Sequence, residues 1–321
     1  MAVPTFVALS MALATPTQAQ TTFRSADVHP ADYPTVAAVN YMSTLIKERS
    51  GGRLAIRVYP SGSLGTERDN IEQLKIGALD MMRIHVSPMN SVVPETLPIS
   101  LPFIFRSTEH MRKVLDGPLG DEILAAMESQ GFVGLAFYDS GARSFYTAKK
   151  PIKTITDMKG IKVRVPQSDL FVDMVKALGA NPTPMPLGEV YTALKTGIVD
   201  AAENNWASYD TSRHFEAAKY YNLSEHSHAP ELLVFSKRAW DKLSKDDQAL
   251  IRKAAKDSVP HMRKLWDERE TKARKTIEAA GSQITKVENR QAFVDAMKPV
   301  YAKYASAPKL AAMVKRIQDT Q

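Results

Sequence analysis

The sequence contains no cysteine among its 321 residues. This absence excludes disulfide bonds, a thiol nucleophile and cysteine-based metal sites. Common catalytic and nucleotide-binding motifs are absent as well: there is no GxSxG nucleophile elbow, no phosphate-binding glycine loop, no HExxH and no GxGxxG. The pattern therefore favours a protein that binds a ligand over one that transforms it.

Long basic runs are also missing. Lys and Arg outnumber Asp and Glu by 42 to 35, which gives a formal net charge of +7, but the positive residues are scattered. Scattered charge does not predict nucleic-acid binding, whereas a modest positive excess suits a small acidic ligand. His226 and His228 would share one face of a strand, but they belong to no recognised metal-ligand pattern. We therefore predict no metal, no cofactor and no nucleic-acid partner.

The N-terminus holds an apolar run from Val3 to Ala14. The small residues Thr17 and Ala19 follow at the positions that signal peptidase reads, which predicts a signal peptide over residues 1–19 and export to the periplasm. No Lys or Arg precedes the run, in contrast to a typical signal peptide, and a buried N-terminal helix is the alternative. No other segment approaches the length of a membrane span.

Predicted strands and helices alternate along the rest of the chain, which indicates an α/β fold with largely parallel sheets. The segment 139–143 (DSGAR) marks a crossing point, because a second α/β set begins after it. A helical stretch over 245–280, which Pro260 should interrupt and kink, is long enough to span two domains. We predict two lobes that exchange strands, residues 22–141 with 230–265 and residues 142–229 with 266–321. No internal repeat is evident.

The segment 158–168 (MKGIKVRVPQS) predicts a short strand with one charged residue near its end. Ile161, Val163 and Val165 alternate with polar residues, which is the period of a strand with one apolar face. Pro166 ends the strand because it has no N–H to donate. Arg164, just before it, is therefore placed at the mouth of an α/β sheet, where a guanidinium can hold a carboxylate through two parallel hydrogen bonds.

Further polar residues follow the ends of other predicted strands, the edge at which open α/β sheets bind ligands. They are His29, Asp32, Glu67, Arg68, Arg83, His85, Arg143, Gln167, Asn204, Asn205 and Trp206. Some have structural interpretations too. Glu67 and Arg68 could serve only to begin a helix, Arg83 could pair with a surface acid, and Trp206 could pack in the core.

Several separated motifs give the chain a resemblance to the extracytoplasmic solute-binding proteins of TRAP transporters. These motifs, in order, are YPSGSLGTERDNIEQLKIGALDM, MKGIKVRVPQS, NPTPMPLGEVYTALKTGIVDAAEN and FEAAKYYNLSEHS. The resemblance extends over essentially everything after the predicted signal peptide. It implies two α/β lobes around a cleft, joined by crossing strands and spanned by a long helix.

The resemblance also implies roles for particular residues. The family arginine that forms a bidentate salt bridge with the ligand carboxylate falls on Arg164, and a second, assisting arginine falls on Arg143. The asparagine after the family's D-G-x-E motif falls on Asn204, although this chain has alanine in place of the glycine. Gln167 and His85 fall on further pocket positions.

The segments ENNWASY and HPADYP resemble the subgroup that binds sugar acids, particularly hexuronates such as glucuronate and galacturonate. Trp206 could present its ring to a pyranose. The resemblance thus implies a monomeric periplasmic receptor that binds an organic acid, breaks no bond and delivers the acid to TRAP membrane permease subunits. Three alternatives stay open: a receptor for an aldonate or C4-dicarboxylate, a secreted uronate lyase or isomerase with His29 or His85 as base, and a sensing module.

Overall fold

The computed structural model describes residues 20–321, and the predicted signal peptide lies outside them. Two sheets form the framework, one with strand order β2-β1-β3-β10-β4 and one with order β11-β9-β5-β8-β6-β7. The strands are β1 (Thr21–Ala26), β2 (Leu54–Tyr59), β3 (Met81–His85), β4 (Phe132–Tyr138), β5 (Arg143–Thr147), β6 (Lys162–Val165), β7 (Asn181–Pro184), β8 (Ala201–Asn204), β9 (Tyr220–Ser227), β10 (Glu231–Ser236) and β11 (Gln283–Lys286).

Helices connect the strands and cover the sheets. They are α1 (Pro34–Arg49), α2 (Glu67–Ile76), α3 (Val86–Met89), α4 (Thr108–Leu115), α5 (Pro118–Ala126), α6 (Asp169–Ala177), α7 (Val190–Lys195), α8 (Trp206–Thr211), α9 (Lys237–Trp240), α10 (Lys245–Ala279), α11 (Arg290–Asp295), α12 (Lys298–Tyr304) and α13 (Pro308–Asp319). Within residues 20–321 no helix combines the length and the apolar character that crossing a bilayer requires.

One strand in each sheet runs against the others, and the crossings explain why. β10 is antiparallel to both neighbours, β3 and β4, and β5 is antiparallel to both of its neighbours, β8 and β9. The chain leaves β4 through residues 139–142 to enter β5, and leaves β9 through residues 228–230 to enter β10. A strand that enters a sheet from the edge where its neighbours end must run in the opposite direction. The first residues of these two strands, Arg143 and Glu231, therefore lie at the facing edges.

The two sheets repeat one topology, and the expectation that the sequence holds no internal repeat is wrong for one short motif. The order β2-β1-β3-β10-β4 in the first sheet corresponds to β7-β6-β8-β5-β9 in the second, with β11 added at the outer edge. The main-chain N–H of Arg24 in β1 donates to Asp80 Oδ2 at 2.8 Å, and that of Lys162 in β6 donates to Asp200 Oδ2 at 3.0 Å. Both aspartates close the same short motif, LKIGALD at 74–80 and LKTGIVD at 194–200.

The long helix α10 spans both halves, because it packs against α1 and β4 on the first side and against α8 on the second. The expected interruption at Pro260 is wrong, since the helix runs unbroken from Lys245 to Ala279. Pro260 lies on the exposed side of the helix, so its ring takes no space in the core, while the adjacent Ser258 and Met262 are buried. Pro260 has no N–H and so removes one hydrogen bond of the helix. Burial of the face that carries Ser258 and Met262 stabilises the helix in spite of this loss.

Candidate ligand-binding site

A cavity lies between the facing edges of the two sheets, and about 340 Å³ of space within it and at its opening to solvent is free of protein atoms. Its walls come from the ends of parallel strands, from the loops that follow them and from the first residues of the two reversed strands. The lining residues are Val28, His29, Glu67, His85, Arg143, Arg164, Pro166, Leu187, Asn204, Ser208 and Glu231. Six of the twelve residues predicted from the sequence thus surround one cavity.

Arg164 is a buried cation with no carboxylate partner in the described chain. It lies at the third position of β6 and is 3% exposed. Its Nε and Nη2 donate to the Met185 carbonyl at 3.0 and 2.7 Å, and it forms no ion pair with another residue of 20–321. Burial lowers the pKa of Arg164, since the charged form loses its hydration. A guanidinium in this state can be stabilised by an anion that enters the cavity.

Arg143 also lines the cavity, but Glu203 engages most of its donors. Arg143 Nε and Nη2 donate to the two carboxylate oxygens of Glu203 at 2.7 and 2.8 Å. Nη2 also donates to the Glu203 carbonyl at 3.1 Å, and Nη1 donates to Asn204 Oδ1 at 2.9 Å. Burial opposes ionisation of Glu203, but the Arg143 guanidinium and the His226 ring nitrogen, 3.2 Å from Oε2, together outweigh it and lower the pKa of Glu203 to about 2. Of the five guanidinium hydrogens, one is left for a ligand.

Asn204 is oriented by the groups around it. Its Oδ1 accepts hydrogen bonds from Arg143 Nη1 and from the main-chain N–H of Asn205, both at 2.9 Å. The amide nitrogen Nδ2 must then point the other way, and no residue of 20–321 accepts a hydrogen bond from it. Asn204 can therefore donate to a ligand oxygen in the cavity.

The first sheet contributes a buried acidic cluster in which two carboxylates flank one guanidinium. Arg83 Nε donates to Asp27 Oδ2 at 2.8 Å, Nη2 pairs with the other oxygen of Asp27, and Nη1 donates to Glu231 Oε2 at 2.7 Å. Although burial lowers the pKa of Arg83, the two carboxylates raise it well above its usual range. Arg83 is 2% exposed and lies behind the cavity wall, where it pairs with two buried acids and not with a surface acid, the structural alternative for this residue.

Two neutral imidazoles complete this side. Burial lowers the pKa of both His29 and His85 well below the usual value, and nearby arginines add to the effect. The N–H of Ser87 donates to His85 Nδ1 at 3.2 Å, so the proton of the neutral ring sits on Nε2. His85 Nε2 and His29 Nδ1 are buried and have no hydrogen-bond partner within residues 20–321. Each ring can therefore bond to a polar ligand group.

Glu67 lies at the first position of α2, next to the capping box that Thr66 and Asp69 form. One face of Glu67 forms the cavity wall, and its Oε1 accepts a hydrogen bond from the His85 N–H at 3.2 Å. Burial raises the pKa of Glu67, and the field of Arg83 partly opposes this rise. The carboxyl group can accept hydrogen bonds from ligand hydroxyls.

The remaining predicted residues lie outside this cavity. Gln167 lines a neighbouring pocket that shares Arg164 and Glu67 with this cavity, and Gln167 and Arg68 together line a further pocket. Asp32 is exposed, and its Oδ2 lies 3.9 Å from Arg269 Nη1. It does not cap α1, because the N-cap of that helix is Tyr33, which forms no capping side-chain hydrogen bond. Asn205 caps α8 through a 2.7 Å bond from the Ser208 N–H.

Trp206 does not reach the cavity. Its ring stacks on that of Tyr221, with centroids 4.0 Å apart, and the Arg274 guanidinium lies 5.7 Å from its centroid. These contacts favour the structural interpretation of Trp206 as a packing residue, and its stacking on a sugar ring stays a prediction.

Sequence reasoning missed Glu231 and Ser208. A signal for Glu231 was present, because it is the first residue after the second crossing, as Arg143 is after the first. Ser208 has no comparable signal. It reaches the wall because it lies in the first turn of α8, where its Oγ is 2.8 Å from the Tyr33 hydroxyl.

Comparison with known proteins agrees with this geometry. The model of the family "Bacterial extracellular solute-binding protein, family 7" matches residues 25–307. A TRAP periplasmic solute-binding protein from Bradyrhizobium sp. BTAi1, solved with α/β-D-galacturonate, is 69% identical, with a TM-score of 0.93 over 94% of this chain and 100% of that one.

Two further solved TRAP periplasmic solute-binding proteins are similar. One from Xanthobacter autotrophicus, with β-D-galacturonate, is 53% identical, with a TM-score of 0.91 over 93% of this chain and 100% of its own. One from Roseobacter denitrificans, with β-D-glucuronate, is 41% identical, with a TM-score of 0.91 over 94% of this chain and 100% of its own. The fold, the cleft and these matches together place the chain in family 7 of the bacterial extracellular solute-binding proteins, the solute receptors of TRAP transporters.

Proposed function

We propose that this protein is the periplasmic receptor of a TRAP transporter for a hexuronate, D-galacturonate or D-glucuronate. In this proposal it binds the sugar acid between its two sheets and delivers it unchanged to membrane permease subunits. The single observation that carries the proposal is Arg164, a buried guanidinium in the cavity with no carboxylate partner among residues 20–321. The bound hexuronates of similar solved proteins support the choice of ligand.

Arg164 would hold the carboxylate of the ligand. Its Nε and Nη2 already bond to the Met185 carbonyl, so the guanidinium plane is held in one orientation. An ion pair formed there would be shielded from water. Charges in such a buried site interact more strongly than charges at the protein surface. The last free hydrogen of Arg143 and the Nδ2 of Asn204 could add donors to the same carboxylate or to an adjacent hydroxyl.

The opposite wall suits hydroxyl groups. His29 and His85 offer unpartnered ring nitrogens, and Glu67 adds carboxyl oxygens. A hexuronate presents one carboxylate and several hydroxyls, each of which can both donate and accept. A ligand with few hydroxyls would leave these protein groups buried without hydrogen-bond partners. Because an unsatisfied buried polar group weakens binding, such a ligand should bind less tightly than a hexuronate.

Ligand capture would require the two sheets to separate and close. The crossings 139–142 and 228–230 and the helix α10 are the connections across which this hinge motion would take place. We propose the two lobes predicted from the sequence as the moving bodies and a monomer as the working unit.

A ligand screen with the purified protein tests the proposal. Calorimetry and thermal unfolding with galacturonate, glucuronate, an aldonate and succinate should show binding of a hexuronate and a raised unfolding temperature, because a ligand that binds only the folded state stabilises it. NMR should show the sugar unchanged after incubation. Tighter binding of succinate than of either hexuronate would contradict the proposed ligand, and conversion of the sugar would contradict a receptor.

A further inference from the structure

The two walls of the cavity carry opposite charge. On the second sheet's side, Arg143 is balanced by Glu203, and Arg164 has no balancing carboxylate in ion-pair contact among the described residues. On the first sheet's side, the single guanidinium of Arg83 faces both Asp27 and Glu231, so this cluster carries one net negative charge. The cavity is therefore basic at one wall and acidic at the other.

The acidic wall is deeply buried. Asp27, Arg83 and Glu231 are each 2% exposed, so water screens their charges weakly. Glu67 adds a third carboxyl group to the same wall, close enough that the charge of Glu231 contributes to the raised pKa of Glu67. A further anion brought against this wall would meet uncompensated negative charge.

Glu231 also has an oxygen to spare. Arg83 binds Oε2, and within residues 20–321 no donor bonds to Oε1, although the residue forms part of the cavity wall. A carboxylate oxygen accepts hydrogen bonds and cannot donate, so its partner in a ligand must carry a hydrogen. A sugar hydroxyl meets this requirement, and an ionised carboxylate does not.

We propose that Glu231, supported by Glu67, is a specificity-determining residue that admits a hydroxyl opposite Arg164 and rejects a second carboxylate. This inference rests on the proposed function, since it assumes that Arg164 holds the first carboxylate. Arg83 and Asp27 position Glu231: the guanidinium holds Oε2, which leaves Oε1 for a ligand, while Asp27 keeps the cluster negative. The wall thus selects monoacids such as hexuronates against the corresponding diacids.

The comparison of galacturonate with galactarate, its diacid counterpart, tests this selection. Juxtaposed like charges cost several kcal/mol, so we expect the wild-type protein to bind galacturonate at least ~100-fold more tightly than galactarate. Glu231→Gln removes the charge with little change of shape and keeps an oxygen for Arg83. We expect this ratio of affinities to fall by at least ~10-fold, mainly because galactarate binds better.

Glu67→Gln is a second variant, at a residue that forms no ion pair with Arg83. It should also lower the ratio of galacturonate affinity to galactarate affinity. The matched control is Glu48→Gln, the same change at an exposed position of α1, and it should leave the ratio unchanged. Circular dichroism of each variant checks the fold.

The outcomes separate the two proposals. Suppose that the wild-type protein binds galacturonate and that Glu231→Gln and Glu67→Gln both fold but leave the ratio of galacturonate to galactarate affinity unchanged. The proposal that Glu231 selects against diacids is then wrong, and the receptor function stands. Equal wild-type affinity for the two acids leads to the same conclusion. If the wild-type protein binds no hexuronate at all, the proposed function fails and this inference fails with it.

Discussion

The two sheets share one topology and carry the same buried ion pair with the charges exchanged. In the first sheet, Arg83 of the third parallel strand pairs with Glu231, the first residue of the reversed strand. In the second sheet, Glu203 of the equivalent strand pairs with Arg143, again the first residue of the reversed strand.

In both sheets the reversed strand's residue lines the cavity and its partner lies behind the wall. Topology thus determines where the pair lies, while the choice of residues determines which charge faces the ligand. The reversed strand begins at the cleft in each case, so its first side chain is presented to the cavity whatever its chemistry. The exchange of Arg for Glu at this one position presents a carboxylate at one wall and a guanidinium at the other. The net charge of each wall comes from residues outside the exchanged pair, Asp27 on the acidic side and Arg164 on the basic side.

The largest expected effect comes from breaking either exchanged pair. Arg83→Ala and Arg143→Ala each leave buried carboxylates unpaired, and we expect each to lower the free energy of unfolding by about 3–5 kcal/mol. Arg83→Ala should cost more, because it strands Asp27 as well as Glu231. Urea denaturation measures both. Arg53→Ala, which breaks the partly exposed pair with Asp247, is the control and should cost no more than about 1 kcal/mol.

Removal of the Arg164 guanidinium, which has no carboxylate partner among the described residues, should weaken hexuronate binding more than it lowers the stability of the fold. We expect Arg164→Ala to weaken hexuronate binding by about 2–5 kcal/mol, because the ligand carboxylate would be buried without its cation. Calorimetry checks this, with Lys162→Ala, an exposed cation on the same strand, as the control. Near-native affinity of Arg164→Ala would show that the basic wall does not hold the carboxylate.

A smaller, pH-dependent effect is expected at the helix that joins the two halves. Burial, with Asp267 and Asp139 nearby, raises the pKa of Glu270 from 4.5 to about 7, and Arg112 only partly opposes this. Between pH 4.5 and about pH 7, Glu270 is therefore protonated in the folded state and ionised in the unfolded state. Because the folded state binds more protons, the free energy of unfolding falls as pH rises across this window.

Glu270→Gln should abolish this fall and stabilise the protein by on the order of 1–2 kcal/mol at about pH 8. Thermal unfolding at about pH 5 and about pH 8 measures it. Glu278→Gln, exposed on the same helix, should retain the wild-type dependence. A parallel pH profile for Glu270→Gln and the wild type would refute the assignment.

The smallest effect is expected outside both walls. Asp32→Asn and Trp206→Phe should change hexuronate affinity by less than about twofold, because Asp32 is exposed and Trp206 is stacked on Tyr221. A tenfold loss in either variant, measured by calorimetry, would mean that the ligand-bound cleft extends beyond the cavity described above.

Sequence reasoning predicted the elements best where a local signal was strong. The sequence pattern predicts strands over 54–59, 132–138 and 231–236, which are the bounds of β2, β4 and β10. Thr66 with Asp69 three residues later predicts a capping box, and both this box and the crossing after Tyr138 are confirmed. The strand β7 was missed because Pro182 and Pro184 interrupt it, which is tolerated only since it lies at the edge of its sheet. β5, β9 and β11 were not predicted either, since they are defined by their pairing with distant strands.

The sequence by itself determined the alternation of elements, the family and the position of Arg164 at a strand end before Pro166. Those features depend on local periodicity, on turn chemistry and on motifs read in order. Only the tertiary structure decided that Arg143 is paired with Glu203, that Trp206 is stacked on Tyr221 and that Glu231 faces the cavity. The partner of a buried charge comes from a strand far away in the chain, so no local pattern can name it.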